Sequence, residues 1–185
     1  NITDNDEWSG LSGGGYCDYS NNPENSEVYG RLYNWYAVDD DRGICPEDFH
    51  VPTDDEYTIL IDYLGGESVA GGKMKEAGLD HWDSPNTGAT NESGFTALPA
   101  GRRYLSDGGT YHNLGASGYY WSSTELNSSN FTYRLLEYNN SDVYKNSSYK
   151  NNGFSVRCIA NEDLVVDCAG VPGGSATEDN CGTCD

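Results

Sequence analysis

The chain has 185 residues, enough for one domain of ordinary size with additional arms. It contains 30 acidic and 10 basic residues, and the resulting net charge of −20 argues against binding to nucleic acid or to an anionic membrane surface. No run of 18 apolar residues is present, which argues against membrane insertion.

The aromatic content predicts a folded chain. Only 30 residues are Leu, Ile, Val or Phe, and few aliphatic residues combined with a high net charge are typical of disorder. However, 15 Tyr and 4 Trp can bury a large area. We therefore expect a compact, turn-rich domain whose core is built on rings.

The first 27 residues are mostly Asn, Asp, Gly and Ser, with Trp8, Leu11 and Tyr16 isolated among them. This composition predicts an irregular N-terminal arm over residues 1–27. Because the chain begins at Asn1 and has no signal peptide, we expect it to be a processed product. Residues 28–38 are aromatic and β-prone, and we predict a strong first strand there.

A helix is predicted after Pro52. The run Thr53-Asp54-Asp55-Glu56 has the spacing of a capping box, and Gly65-Gly66 would end the helix. The helical spacing predicts an inward face that carries Ile59, Leu60, Tyr63 and Leu64.

A second, shorter helix is predicted over residues 67–77, with Met74 and Ala77 facing inward. Short strands separated by turns then follow. Two helices followed by several short antiparallel strands indicate an α+β domain over residues 28–159. The predicted strands cover residues 94–98, 102–105, 119–124, 131–138 and 154–159.

Residues 160–185 form a tail that is rich in Cys, Gly and Asp and has too few apolar residues to form a core. Calcium accepts carboxylate ligands in flexible loops, although the spacing is not that of an EF-hand. The alternative is that the acids of the tail are simply solvated. The candidate Ca²⁺ ligands in the tail are Asp163, Asp167, Glu178, Asp179 and Asp185.

The six cysteines favour disulfides and thus an oxidising compartment. One Cys-x-x-C motif, Cys181 to Cys184, lies in the tail without a second pair or a His partner, so it is a weak zinc signal. Six cysteines allow fifteen pairings, and the residues alone leave them open. The cysteines are Cys17, Cys45, Cys158, Cys168, Cys181 and Cys184.

Residues with catalytic potential are scattered. His50, His81 and His112 show no metal-binding spacing, and the run Ser122-Ser123 lacks the Gly-x-Ser-x-Gly elbow of serine hydrolases. We therefore expect a protein that is not an enzyme.

Several motifs, in this order, resemble the Fibrobacter succinogenes major paralogous (FISUMP) domain over about residues 29–159. They are Tyr-Gly-Arg-Leu-Tyr-Asn-Trp at 29–35, Cys-Pro-Glu-Asp-Phe-His-Val-Pro-Thr at 45–53, Leu-Gly-Gly at 64–66, Ala-Gly-Gly-Lys-Met-Lys at 70–75, Asn-Glu-Ser-Gly-Phe-Thr-Ala-Leu-Pro-Ala-Gly-Arg-Arg at 91–103, Tyr-Trp-Ser-Ser-Thr at 120–124 and Ser-Val-Arg-Cys at 155–158.

This resemblance implies a C-type-lectin-like domain flanked by irregular N- and C-terminal arms, on a secreted, extracellular or bacterial cell-surface protein. It also implies a Cys45–Cys158 disulfide, because the two segments are neighbours at the base of such a fold. Ser26 stands where the family often has a partner for Cys17, and the sugar-binding triplets of true C-type lectins are absent. Residues 167–176 resemble a repeat of bacterial surface proteins, Asp-Cys-Ala-Gly-Val-x-Gly-Gly-Ser-Ala.

Two functional hypotheses follow. The first is a structural or adhesive subunit that self-assembles into a homo-oligomer or filament through its arms, with Cys17 bridging to a tail cysteine. The second is a module that binds carbohydrate or another surface ligand by aromatic stacking, set against the alternative that the same rings form the core. The candidate stacking residues are Trp82, Tyr119, Tyr120 and Trp121.

Overall fold

A computed structural model describes residues 1–161. Within them the chain forms five helices and nine strands, which confirms the α+β class. The helices are α1 (Asn5–Ser9), α2 (Pro23–Tyr29), α3 (Trp35–Val38), α4 (Asp54–Tyr63) and α5 (Glu67–Met74). No helix of this part of the chain is long and apolar enough to cross a membrane.

The strands form one large sheet and two small ones. They are β1 (Tyr16–Cys17), β2 (Leu32–Tyr33), β3 (Phe49–His50), β4 (Ala100–Tyr104), β5 (Thr110–Leu114), β6 (Ser117–Asn127), β7 (Asn130–Glu137), β8 (Val143–Ser148) and β9 (Ile159–Ala160). The large sheet has the order β5-β4-β6-β7-β8, and β1-β2 and β3-β9 are two-stranded. Pairing is antiparallel except between β4 and β6, which are parallel.

The core is built on aromatic rings, as the composition predicts. The largest ring cluster lies around Phe154, whose centroid is 4.3 Å from that of Trp121, 4.7 Å from that of Tyr133 and 5.2 Å from that of Tyr119. Such contacts add to the burial of apolar area. Trp35 and Phe131 complete this cluster.

Helix α4 begins as predicted. The Thr53 hydroxyl accepts a hydrogen bond from the Glu56 backbone N–H at 3.2 Å, and the Glu56 carboxylate accepts one from the Thr53 N–H at 2.7 Å. This reciprocal pair satisfies two donors that the first helical turn leaves without partners.

We expect Thr53→Ala to lower the free energy of unfolding by about 1 kcal/mol, because the Glu56 N–H loses its acceptor. Urea denaturation followed by circular dichroism measures this change. Ser68→Ala, at an exposed position of α5, is the control and should be close to neutral. Equal effects of the two substitutions would contradict a capping role for Thr53.

The predicted inward face of α4 is wrong in part. Leu64 is buried, but Ile59 is 69% exposed and Tyr63 is 87% exposed. The buried positions are instead Tyr57 and Ile61 with Leu64. Asp54 is buried as well, and its carboxylate binds Arg134 on β7.

Helix α5 is shorter than predicted. Met74 is buried as expected, whereas Ala77 is exposed beyond the end of the helix. The helical pair Gly71-Gly72 has a packing reason: a Cβ atom at Gly71 would lie 2.3 Å from the Asp142 carbonyl oxygen. The two glycines therefore let α5 approach the segment before β8.

Residues 1–27, predicted to be an irregular arm, instead contain α1, β1 and most of α2 and pack into the domain. Trp8 is fully buried, and its indole N–H donates to the Asn151 carbonyl at 2.6 Å. Strand β1 pairs with β2, which joins this segment to the domain. Composition underestimates such a segment because a single buried Trp supplies much of its apolar area.

Arg103 also holds the N-terminal segment. Its buried guanidinium donates to the carbonyls of Ile2 (2.7 Å) and Asp4 (3.1 Å) and to the Asn5 side chain (2.6 Å), and it lies 4.6 Å from the Trp8 ring centroid. A planar group with five donors suits this position, where several backbone carbonyls converge.

Other predicted strands also differ from the structure. Residues 28–38 form the end of α2, the short strand β2 and helix α3, because Gly30 adopts a φ of 78° and Asn34 caps α3. Residues 94–98 and 154–158 make isolated bridges rather than strands. Strands β4, β6 and β7 lie where strands are predicted, and β5 and β8 lack a prediction.

Candidate functional site

An apolar groove with a volume of 540 Å³ lies beside α4. This volume is in the range of binding clefts for small ligands and short segments. The groove, called the α4 groove below, is lined by Pro52, Glu56, Tyr57, Ile59, Leu60, Tyr63, Gly94, Phe95, Arg157, Cys158 and Ile159.

The helix wall of the α4 groove carries the exposed apolar side chains Ile59 and Tyr63, with Leu60 half-buried between them. These residues face away from the core because Tyr57, Ile61 and Leu64 occupy the inner face of α4. The wall is therefore a second apolar face on one helix. These side chains expose apolar surface that the core does not use.

The opposite wall combines a ring with a cation. The Phe95 ring packs edge-on against Tyr120, with centroids 5.4 Å apart. The guanidinium of Arg157 lies 5.0 Å from the Phe95 centroid and donates to the carbonyls of Phe95 (2.7 Å) and Thr96 (3.3 Å). Arg157 thus places a positive charge in a mostly apolar groove, in addition to the carboxylate of Glu56.

The wall formed by residues 157–159 is cross-linked to the rest of the domain. Cys158 forms a disulfide with Cys45, with Cα atoms 5.8 Å apart, so the pairing implied by the family resemblance is confirmed. Next to it, Ile159 pairs with His50 in the β3–β9 sheet. The disulfide therefore fixes one wall of the α4 groove relative to the chain that precedes α4.

A polar cluster stands at the end of the α4 groove where the described chain ends. The two ring nitrogens of His50 lie 2.8 Å from the Glu56 carboxylate and 2.7 Å from the Asn161 side-chain oxygen. The Asn161 backbone N–H donates to the Asp48 carbonyl at 2.9 Å. Burial tends to raise the pKa of Glu56, but hydrogen bonds from Thr53 and His50 outweigh it and lower that pKa.

Tyr57 adds an unsatisfied polar group to the groove lining. Its side chain is 2% exposed, and its hydroxyl has no hydrogen-bond partner among residues 1–161. Burial is the main reason that its pKa is raised, so the hydroxyl keeps its proton. The hydroxyl itself is inaccessible to solvent, so it does not offer a hydrogen bond to a ligand in the groove.

The predicted stacking residues do not lie in this groove or on the surface. Trp82, Tyr119, Tyr120 and Trp121 are each at most 5% exposed. Their polar atoms are satisfied inside the domain: the indole of Trp82 donates to the Ala97 carbonyl, and that of Trp121 to the Tyr33 carbonyl. The prediction of a stacking surface there is wrong, and the alternative that these rings form the core holds.

The predicted arm bridge receives no support at Cys17. Its thiol is buried and forms no disulfide within residues 1–161, and burial raises its pKa. The tail residues named in the predictions lie outside the described residues. They are Cys168, Cys181 and Cys184, with the candidate Ca²⁺ ligands Asp163, Asp167, Glu178, Asp179 and Asp185.

The three histidines lie in separate places. His81 contacts Glu76 at 2.8 Å, His112 contacts Asp107 at 2.6 Å, and His50 belongs to the polar cluster above. Among residues 1–161, no group of three or more His, Cys, Asp and Glu side chains is placed to hold a metal ion. Ser122 is buried, and its hydroxyl accepts from the Thr124 N–H.

Sequence reasoning misses the α4 groove. It assigns Ile59 and Tyr63 to the core and Phe95 to a strand, and it gives no role to Arg157. One feature of the sequence could have indicated the groove: α4 has more apolar residues than a single stripe facing the core can contain.

Comparison with known proteins identifies a family. A family model described as Fibrobacter succinogenes major domain matches residues 2–160. The matched range includes the N-terminal segment that packs through Trp8 and Arg103. No curated protein and no solved structure matches the chain.

Proposed function

Because the chain belongs to the Fibrobacter succinogenes major domain family, we propose that it is a secreted, non-enzymatic surface protein with a structural or adhesive role. It acts as a self-assembling subunit, and the α4 groove is the acceptor for an apolar polypeptide segment. The observation that carries this proposal is the exposed second face of α4 at Ile59 and Tyr63.

The chemistry of the groove supports a polypeptide as the occupant. Ile59, Tyr63 and Phe95 offer apolar contact, while Glu56 and Arg157 offer polar contact. A peptide segment brings both kinds of group, since each residue has a backbone donor or acceptor beside its side chain.

The lining chemistry supports binding rather than catalysis. Its two charged groups are already engaged: Glu56 caps α4 and contacts His50, and Arg157 donates to two backbone carbonyls.

The proposed location rests on the disulfide between Cys45 and Cys158. A disulfide that closes a long loop persists in an oxidising environment, which supports a secreted or surface address. A C-type-lectin-like fold is part of the same proposal. It is supported by the bridge that joins the residue before the last strand to the segment before α4, and by two successive helices that precede the main sheet.

Light scattering coupled to size-exclusion chromatography over a range of concentrations tests the assembly. We expect the wild-type mass to rise with concentration and Ile59→Asp to shift the protein toward the monomer, because a buried carboxylate would face Phe95. Leu126→Asp is the matched control, since Leu126 is 57% exposed and lies outside the groove. A wild-type protein that stays monomeric at every concentration contradicts self-assembly.

The alternative function, carbohydrate binding, is now supported by a different residue. Tyr63 is the most exposed large aromatic side chain of the groove, and aromatic faces stack on sugar rings. A glycan array compares the wild type with Tyr63→Ala. Binding that disappears in the variant would favour this alternative, and an array without signal would exclude it for the glycans displayed.

A further inference from the structure

Arg157 also lines a second cleft, which has a volume of about 300 Å³ and is called the arginine cleft below. We propose that this cleft binds a small ligand through an oxyanion group (a carboxylate, sulfate or phosphate) that Arg31 and Arg157 hold. The inference goes beyond the proposed function, because it concerns a second cleft and does not require assembly.

The lining of the arginine cleft has the opposite charge to the chain as a whole. The chain has 30 acidic and 10 basic residues, whereas the lining contains Arg31 and Arg157 and no acidic residue. The half-buried rings of Tyr29 and Tyr33 also line the cleft. A few charged groups placed among apolar and aromatic side chains in a concave site are typical of small-ligand binding.

The fold brings the two arginines together from distant parts of the sequence. An antiparallel bridge joins Tyr33 to Phe154, and their backbone groups form hydrogen bonds of 2.8 and 3.0 Å. In an antiparallel arrangement, the residues before one partner lie beside the residues after the other. Arg31 comes shortly before Tyr33, and Arg157 comes shortly after Phe154. Both side chains therefore start from the same side of this bridge and line the same cleft.

Both guanidinium groups stack on a ring and have N–H donors without partners. The guanidinium of Arg31 lies 4.4 Å from the ring centroid of Tyr16, and that of Arg157 lies 5.0 Å from the centroid of Phe95. Within residues 1–161 the Arg31 guanidinium forms no hydrogen bond, and that of Arg157 donates only through Nη2. Stacking uses the face of a guanidinium, so the N–H groups in its plane can still bind an oxyanion.

The other basic residues are engaged within the domain. Lys75 and Arg103 are buried against backbone carbonyls, and the guanidinium of Arg102 lies 4.2 Å from the ring centroid of Tyr104. The remaining basic residues each lie within 3.7 Å of a carboxylate, and they are Arg42, Lys73, Arg134, Lys145 and Lys150. The two exposed cations that are least neutralised therefore line the same cleft.

Asp18 neutralises Arg31 only weakly. Its carboxylate lies 4.0 Å from Nε of Arg31, and its two oxygens already accept hydrogen bonds from Asn1 and Ser26. The side chain of Arg31 is 51% exposed, and an exposed ion pair at this distance contributes little free energy. Arg31 therefore remains a cation that a ligand can use.

Three further acids determine where in the cleft the oxyanion lies. Glu76 and Asp83 lie near Tyr29, because burial and then the charges of these two acids raise the pKa of its hydroxyl. Glu56 shares the α4 groove with Arg157, but no carboxylate in the described part of the chain lies within 4.0 Å of that guanidinium. Since like charges repel, we expect the oxyanion beside the two arginines and away from Tyr29.

Titration of the full chain with small anions, followed by NMR of its backbone amides, tests this inference. The probes are glucuronate, inorganic sulfate and inorganic phosphate, with glucose as the uncharged control for glucuronate. We expect at least one anion to bind, and the probe with the lowest dissociation constant identifies the preferred oxyanion. Arg31→Gln should raise that constant at least about tenfold, because hydrogen bonds to a charged group are lost. Arg42→Gln is the matched control, since it removes the same charge outside the cleft.

Three results would overturn the inference: no binding of any anion, a dissociation constant that Arg31→Gln leaves unchanged, or an equal effect of Arg42→Gln, which would reflect net charge alone. Arg157→Gln should weaken binding as Arg31→Gln does. It also loses the hydrogen bonds to the Phe95 and Thr96 carbonyls, so circular dichroism checks its fold, and Arg31→Gln decides the question if it unfolds. Because ligand binding is measured and not assembly, a wild-type protein that stays monomeric overturns the proposed function without affecting this inference.

Discussion

Replacing both Cys45 and Cys158 with alanine is expected to lower the free energy of unfolding by about 4–5 kcal/mol. The bridge joins residues 113 positions apart, and in the chain-entropy model so long a loop restricts the unfolded chain strongly. Urea denaturation of the wild type and the double variant measures the difference. Cys158 also lines the α4 groove, so the same variant should assemble more weakly.

Two controls isolate the effect of loop closure. The wild type under reducing conditions should lose about as much stability as the double variant. Cys17→Ala removes a buried thiol and leaves the loop closed, so it should cost only the lost packing, about 1 kcal/mol. A double-variant loss no larger than that of Cys17→Ala would contradict the prediction.

Helix α4 shows which parts of the fold can be predicted from the sequence and which cannot. Its start is predictable because a capping box depends on residues three positions apart. Its inward face is not, because Tyr57-Ile61-Leu64 and Ile59-Tyr63 both follow helical spacing. The choice depends on packing partners that lie far along the chain, among them Arg134 on β7, which binds Asp54. The candidate site is the face that the core does not use, so it becomes visible only with the tertiary structure.

The N-terminal segment shows a second limit. Trp8 is isolated in sequence, and its partners lie far along the chain, at Arg103 and Asn151. Residues 28–38 are β-prone by composition, yet Gly30 and Asn34 divide them into a helix end, a short strand and another helix. Local patterns do not report contacts across 100 positions. By contrast, the family resemblance correctly predicts the long-range pairing of Cys45 with Cys158.

Buried charges are the third feature that sequence reasoning does not reach. Lys75 is fully buried, and its ammonium donates to the carbonyls of Thr87, Glu137 and Asn140 at 2.8–3.0 Å. Desolvation lowers the pKa of Lys75 to about 8. Nothing in the local sequence distinguishes this lysine from an exposed one, because its partners come from two distant loops and the end of β7.

A buried ion pair at the start of α4 links that helix to the main sheet. The Asp54 carboxylate lies 2.8 Å from the Arg134 guanidinium and 2.5 Å from the Lys145 ammonium. Arg134 also donates to the Thr58 hydroxyl at 2.9 Å. The side chains of Asp54 and Arg134 are almost fully buried, so the remaining charge cannot regain water when its partner is removed.

Asp54→Asn is therefore expected to lower the free energy of unfolding by about 3–5 kcal/mol, because it leaves the Arg134 guanidinium buried without its main counterion. Asp55→Asn is the matched control, since Asp55 is an exposed acid in the same helical turn and should cost less than about 1 kcal/mol. Arg134→Met combined with Asp54→Asn should cost less than the sum of the two single substitutions, as chemical denaturation of the full cycle would show. Additive losses would mean that the two side chains stabilise the domain independently.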